Sequence, residues 1–515
     1  MVSAPLRLKR APRPKGRDLK PLSDLELYDM LMRSQLLIDH CAHLPHLNVD
    51  DDEAQPNGRR TSAGRPLELP PELMVLFGVT TFAWADNDRK AQAFMQHSQI
   101  WEPTRAHFNA FYPAYKGLQP GSRGPSRWQF HRWYTKCAEN REALKAVYTA
   151  FQTVLCDLSL RMGIADPDRH SPSATDLRDT AIADGTNVKA RLSAAPGDMQ
   201  VDRETGEIEQ IPYDPGNTHQ WRKGVDDEPV RSDAAGTPFG IVQVTTGHTE
   251  ESFPVAIYEV PTGPGHSEMK ASMAALADLK ANYLPGIDAL LYDKAAHGVD
   301  IDAALAIGVH IHARVSLADE KRGIPKQRLT DVGLPAHRDG EQVGTVDIMA
   351  IGGAAHILVH LGNEQIPVLL EPQQVHERRS RNSVAITRVW RTYGIPDDAP
   401  VPKHLRGATV DIRHNTNEAD RAAGLNRAEV LRLIAEDHPD WPAVAQRNRA
   451  ECMNQLIKHR WPDKRGPALG PERKRLRLMF GTIAIAVQAA VRFEQRTGIE
   501  VLPAARPPTI IQAAA

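Results

Sequence analysis

Cysteine is scarce: there are four in 515 residues, Cys41, Cys137, Cys156 and Cys452, with no CxxC and no paired spacing. That scarcity speaks against a disulfide framework and a structural zinc site, and predicts a reducing compartment. Net charge is also nearly absent, at −1 from 63 basic and 64 acidic residues. The whole molecule therefore does not attract nucleic acid by its total charge, and any DNA binding must come from local basic patches. Long apolar runs are missing too. The longest, around residues 483–491, is too short to span a bilayer and reads as a buried helix. A basic stretch at the start (Arg7, Lys9, Arg10, Arg13, Lys15, Arg17, Lys20) has no apolar segment after it, as an export signal would need. A cytoplasmic protein is expected. No internal repeat is visible. What remains, 41% hydrophobic and 25% charged residues, is an ordinary globular composition at a length suited to two to four domains.

Residues 1–22 read as a basic flexible arm, either a DNA contact or a solvated tail. Residues 23–170 read as a helical N-terminal region. Ser23 and Glu26 form a capping box ahead of a stripe of Leu27, Leu31 and Ile38. A polar loop is expected at 48–66, then helices from 71 to 164 with Trp101, Phe108, Phe111 and Trp128 as core aromatics. The segment 126–132 (SRWQFHR) leads into a helix carrying Lys136, Arg141 and Lys145. A basic helix in a small helical domain suits helix-turn-helix DNA reading, with Arg127 and Arg132 as contacts, or a bundle that only packs on the rest.

From residue 175 the pattern changes to strands and helices. Residues 181–184 form a short apolar run ending in an acid, followed by a polar loop. Strands are expected at 240–246 and 253–260, a helix at 268–283, a strand at 287–292 ending in a second acid, a helix at 301–307 and a strand at 309–315. Three strands followed by helix–strand–helix–strand is the order of a ribonuclease-H-like α/β core, an antiparallel meander with two further strands parallel to its first. The first part of that core is expected at 175–317. Residues 318–415 read as a β-rich insertion, with strands at 345–351, 356–361, 365–371 and 383–391. Residues 416–498 bring back helices, at 427–435, 441–458 and from Pro471 to Gln495. Residues 499–515 form a tail.

In this topology the first and fourth strands are neighbours, so Asp184 and Asp293 would lie side by side. Two clustered carboxylates repel unless a cation neutralises them, which predicts ligation of Mg²⁺ or Mn²⁺ by hard oxygen donors. Two such ions about 4 Å apart can activate a water or a 3′-hydroxyl and stabilise the leaving oxygen of a phosphodiester.

The surrounding residues extend the pattern. Asp184-Gly185-Thr186 resembles the first-acid motif of bacterial insertion-sequence DDE transposases, and Leu291-Tyr292-Asp293-Lys294-Ala295 resembles their second. Residues 253–269 resemble their third strand and the loop before the helix. Arg447, Glu451 and Lys458 fit the R-x3-E-x6-K part of the Tyr-Arg-Glu-Lys signature, and offsets of four and seven set them on one helix face. The likeness covers roughly residues 181–496. It departs from the family at Val444, where the signature has Tyr, and at Ala296, where an aromatic often stands.

The resemblance implies a transposase that cleaves element ends and transfers the strand into target DNA. Asp184, Asp293 and Glu451 would be its catalytic and metal-binding acids, two Mg²⁺ or Mn²⁺ ions its cofactors, and Arg447 and Lys458 its phosphate contacts. It also implies terminal inverted repeats and target DNA as partners, a dimer when the two ends are brought together, and a nucleoid location when bound. Glu429 and Glu436 are the replacements should Glu451 not be the third acid.

Other readings compete. The protein could be a domesticated or inactive transposase that keeps only DNA binding. His310 and His312, an H-x-H on a strand, could bind a metal in a hydrolase, or be ordinary polar-face histidines. Trp390 could stack on an extruded base, though a core position is the simpler expectation.

Overall fold

The computed structural model describes residues 69–83, 87–169, 176–189, 199–201, 208–210, 218–223, 229–261, 268–293, 296, 298–314, 326–329, 333–361, 364–425, 427, 431, 433–434, 445–459 and 470–502. The expected basic arm, the Ser23/Glu26 capping box and the 48–66 loop lie outside them. The chain is a mixed α/β protein with helices at its N-terminal end, three larger sheets and a long C-terminal helix.

Of the five helices described in the N-terminal part, three start from side-chain caps. Helix α1 (Pro71–Ala83) is apolar all round and buried along all but its last residue, as a helix inside a core must be. Asn87 caps α2 (Asp88–Met95) by accepting from the Lys90 N–H, and α3 (Ser98–Phe111) follows. Ser126 and Gln129 form a reciprocal capping box that starts α4 (Arg127–Glu139). Asn140 then ends α4 and caps α5 (Arg141–Arg161), accepting from the N–H groups of Glu142 and Ala143. Lys136 therefore sits on one helix and Arg141 and Lys145 on the next, not on the single helix the sequence suggested. Trp101 and Phe108 are core residues as expected, and Phe111 is half-buried. Trp128 is not in the core. It is 71% exposed on the first turn of α4, because the buried stripe there is Phe130, Trp133, Tyr134 and Cys137.

The main sheet begins with β1 (Thr180–Lys189). A ribbon of β2 (Met199–Val201) and β3 (Ile208–Gln210) follows, then β4 (Thr218–Lys223), β5 (Pro229–Thr245) and β6 (Ser252–Glu259). The polar stretch after Asp184 thus contains strands where a loop was expected. β5 starts eleven residues before the expected 240, because its first half pairs with β4 and its second half lies between β1 and β6. Helix α6 (Glu268–Asn282), strand β7 (Ala289–Tyr292), helix α7 (Gly298–Ala306) and strand β8 (His310–Arg314) complete the alternation. The β7 strand reads ALLY and all four residues are buried, the pattern of a strand covered on both faces.

The strand order is β6–β5–β1–β7–β8. β6, β5 and β1 are antiparallel, β7 runs parallel to β1, and β8 runs parallel to β7. A two-residue strand, β18 (Leu433–Ile434), extends the parallel side next to β8. It falls within the 427–435 segment whose apolar spacing suggested a helix; pairing with an open sheet edge decides those two residues.

Between β8 and β18 the chain is rich in strands. Strands β9 (Lys326–Arg328), β12 (Ile348–Ile351), β13 (Ala354–Leu361) and β14 (Glu364–Leu369) make a four-stranded sheet. Strands β10 (Leu334–Arg338), β11 (Glu341–Val346), β15 (Glu371–Arg379), β16 (Ile386–Gly394) and β17 (Thr409–Arg413) make a five-stranded one. Their buried residues, among them Leu329, Ile348, Leu370, Tyr393 and Ile412, form a hydrophobic cluster separate from the main one. A short helix, α8 (Glu418–Ala422), follows.

Two helices close the fold. α9 (Asn448–His459) begins directly after a 3-10 turn at Ala445–Arg447 and contacts β1. α10 (Pro471–Thr497) is the one described helix long and apolar enough to cross a membrane, and 83% of its most apolar window is buried within the protein. It packs on α1, α4, α5 and β6. Small residues meet rings there in both directions. Cβ atoms on Gly78 and Gly481 would lie 2.7 Å from the rings of Phe480 and Phe82, respectively, so the two glycines let α1 and α10 approach closely.

Candidate active site

The site starts from strand register. β1 and β7 pair in parallel with Thr180 opposite Ala289 and Ile182 opposite Leu291. Extended two residues past its last pair, the same register would set Asp184 level with Asp293. Neighbouring strands run about 4.8 Å apart, so two acids far apart in sequence would share one row and one face. Asp184 is not at the end of its strand, as the short apolar run suggested. β1 continues to Lys189 because the long β5 keeps pairing with it, with Asp184 opposite Ile241. What ends near Asp184 is the pairing with β7.

Helix α9 and its leading turn meet that face. Arg447 donates from Nη2 to Asp184 Oδ1 at 3.0 Å, and Asn454 donates from Nδ2 to Asp184 Oδ2 at 2.9 Å. The Asn454 Nδ2 is also 3.4 Å from the Gly185 carbonyl oxygen. Asn454 is 7% exposed, and its Oδ1 accepts no hydrogen bond among the described residues. A buried amide oxygen without a donor is uncommon, and here it adjoins a carboxylate. Carboxylates and an amide oxygen are hard donors of the kind that suits Mg²⁺ or Mn²⁺. Among the described residues, however, no group of three or more histidine, cysteine or carboxylate side chains could hold a metal ion. The backbone of Glu451 lies in α9; its side chain is outside the described residues, as are the whole of Glu429 and Glu436.

The opposite face carries a second acid environment. Successive strand residues point to opposite faces, so position 185 faces away from Asp184. Gly185 stands opposite Gly240, and Gly240 opposite Tyr258. The two glycines clear a notch. A Cβ on Gly185 would lie 2.2 Å from Glu268 Oε2, and one on Gly240 would overlap the Tyr258 ring. Glu268, the first residue of α6, thus lays its carboxylate over the β1 backbone. The Tyr292 hydroxyl donates to Glu268 Oε1 at 2.9 Å, and the Gly185 N–H donates to the same carboxylate. Ser272 Oγ donates to the Glu268 carbonyl oxygen at 2.9 Å and contacts both the Tyr258 and Tyr292 hydroxyls. Burial pushes the Glu268 carboxyl above its ordinary range and the nearby charge of Asp293 adds to this. The Tyr292 hydrogen bond, Arg447 and the Gly185 N–H act against it.

No protein-family model matches this chain, and no curated protein does.

The structure brings Arg447 to Asp184, and the β1–β7 register points Asp293 toward the same level. Arg447 lies in the turn before α9, not within the helix, and Lys458 is half-buried on α9. Arg127 and Arg132 lie on α4 among the N-terminal helices. The Arg127 guanidinium stacks 5.0 Å from the exposed Trp128 ring, and a buried nitrogen of Arg132, Nη2, has no hydrogen-bond partner among the described residues.

His310 starts β8 and its Nε2 is 3.0 Å from Glu377 Oε2 on β15. This is the opposite end of the parallel strands from the acid pair. Trp390 is half-buried, stacked on His376 at 5.3 Å with the Arg388 guanidinium 5.0 Å away, outside the core where it was expected.

Two residues escaped the sequence reading. Asn454 follows Arg447 by seven positions and Glu451 by three, so helical spacing alone could have placed it on the same face. Glu268 was hidden by its place in α6, where an acid in the first turn reads as a partner of the helix dipole.

Proposed function

We propose that this chain is a DNA transposase of the DDE type, cleaving the ends of a mobile element and joining them to target DNA. The observation that carries the reading is the β1–β7 register, which runs toward Asp184 and Asp293 together, with Arg447 and Asn454 bonded to Asp184. The order β6–β5–β1–β7–β8, antiparallel and then parallel, is the one expected for a ribonuclease-H-like core and supports that assignment. Strands β9 to β17 occupy the stretch expected for a β-rich insertion between the second acid and the glutamate helix.

In this reading Asp184 and Asp293, with Glu451 as the third acid, would hold two Mg²⁺ or Mn²⁺ ions, and the buried Asn454 Oδ1 would add a neutral oxygen donor. Such ions would supply Lewis acidity toward the scissile phosphate and the attacking hydroxyl. The residues of the chain do the rest. Arg447 passes from Asp184 to a phosphate oxygen when DNA enters, and Lys458 neutralises the same strand. Water attacks the phosphorus of the element end, leaving a 3′-hydroxyl and a 5′-phosphate. That 3′-hydroxyl then attacks a target phosphodiester, forming the new ester and releasing a target 3′-hydroxyl. Arg127 and Arg132 on α4 hold the terminal repeat, and two chains bring the two ends together.

A second reading, a transposase-derived DNA-binding protein, is favoured by one fact: Arg447 and Asn454 already occupy both oxygens of Asp184. A supercoiled plasmid carrying the terminal repeats separates the two. Nicking that depends on Mg²⁺ or Mn²⁺ and is lost in Asp184→Asn and Asp293→Asn supports the enzyme. Retention of the plasmid without nicking supports the binding protein.

A further inference from the structure

We propose that Glu268 is a positioning residue for the acid pair, clamping β1 to β7 from the face opposite the one on which Asp184 and Asp293 lie. The proposal rests on the transposase reading of that pair. One carboxylate reaches both strands. Its Oε2 lies over Gly185, the residue after Asp184, whose N–H donates to the carboxylate. Its Oε1 takes the Tyr292 hydroxyl, on the residue before Asp293. The two acids are therefore each one residue from a group tied to Glu268.

The arrangement is built for that contact. Any side chain at 185 would collide with the carboxylate, and the neighbouring glycine at 240 makes room for Tyr258, whose hydroxyl meets Ser272 one turn along α6 from Glu268. Tyr292 and Ser272 are buried, and Tyr258 is half-buried. A hydrogen-bonded network of this kind, satisfied within the protein, fixes one geometry better than apolar packing alone. Pairing between β1 and β7 ends with Ile182 and Leu291, before the level of the acids. The Tyr292–Glu268–Gly185 bridge adds a constraint between the two strands beyond that pairing. Glu268 lies over Gly185, on the face of β1 away from Asp184, so its part is to hold the ligands and not to be one.

Groups that orient metal ligands in this way typically change metal affinity by about 10–100-fold when removed. The test is binding of Mn²⁺ alone to the full chain without DNA, followed by electron paramagnetic resonance and calorimetry. Tyr292→Phe removes only the hydroxyl, and Glu268→Gln keeps the shape. With thermal unfolding close to wild type, both should bind Mn²⁺ at least about tenfold more weakly and broaden the spectrum of the bound ion. Binding within about twofold of wild type in both variants overturns the positioning role and leaves the transposase reading standing. If wild type and Asp184→Asn bind Mn²⁺ alike, there is no site to position, and both readings fall. Unfolding of both variants assigns the network to the fold alone and also overturns the role.

Discussion

Replacing Asp293 by asparagine should make the metal-free protein more stable, although it removes a catalytic acid in the reading proposed above. The β1–β7 register, extended past its last pair, would set Asp293 level with Asp184 on the next strand, and Glu268 feels its charge through the sheet. Two carboxylates about 5 Å apart repel by roughly 3 kcal/mol at an effective dielectric of about 20. Arg447 is 11% exposed and bonded to Asp184, and it cancels part of that repulsion. A net gain of about 1–2 kcal/mol in Asp293→Asn is therefore expected. For a domain of this kind that corresponds to a rise in Tm of about 2–8 °C. Calorimetry in low salt without divalent ions measures it directly. Added Mg²⁺ should raise the Tm of wild type and leave the variant unmoved, so the ranking narrows or inverts. A lower Tm for Asp293→Asn in the absence of metal would refute the reasoning. It would mean that the favourable contacts of Asp293 outweigh its repulsion from Asp184.

Three further outcomes follow from named contacts. Burial would raise the Glu377 carboxyl, but hydrogen bonds from His310 and Arg379 outweigh it and hold it at about 2. A carboxyl depressed in the folded state stabilises above its unfolded pKa of about 4.3 and loses that contribution as pH falls toward the folded value. Wild type should thus lose on the order of 2–3 kcal/mol between pH of about 4.5 and 2 through this group. Urea titrations across that range should show a shallower decline for Glu377→Gln. Gly185→Ala sets a methyl 2.2 Å from Glu268 Oε2; it should cost about 1–3 kcal/mol and weaken Mn²⁺ binding, as read by denaturation and calorimetry. Gly78→Leu forces a side chain into the Phe480 ring and should lower stability by a similar 1–3 kcal/mol or so through overpacking, with Mn²⁺ affinity unchanged.

Much of the main sheet was legible because its elements carry strong local signals. The ALLY run of β7, the spacing of Met269, Met273, Leu276 and Leu279 on α6, and Gly470-Pro471 ahead of α10 each declare an element without help from its neighbours. What escaped depends on partners. β1 outruns its apolar segment because β5 is long enough to pair with it as far as Lys189. Leu433 and Ile434 carry helical spacing, yet the free edge of β8 takes them as a strand. Trp128 is an aromatic by composition and a surface residue by its angle around α4. Of the site, the two aspartates and Arg447 could be read from motifs. Asn454 was open to helical spacing but Glu268 was not, because register and helix docking bring it to the acids.

Register also explains why the short β7 strand is held at both ends. A slip of one residue in a strand moves every side chain to the other face, and here it would turn Asp293 away from Asp184. Four buried residues offer little resistance to a slip by apolar packing, since alanine, leucine and tyrosine are apolar on both faces. Polar contacts supply the specificity. Before β7, the Asp288 N–H donates to the Asp179 carbonyl oxygen at 2.8 Å, and its carboxylate lies 3.5 Å from Lys280 Nζ and 3.6 Å from Arg379 Nη2 of β15. At its last residue, Tyr292 donates to Glu268. The first anchor ties the strand to the β-rich segment, which also grips β8 through His310 and Glu377. The second ties it to α6 and β1. A strand this short can hold an acid at a defined height only if both anchors agree, so movement of β15 relative to the main sheet must reach Asp293 through Asp288 and the four residues between them.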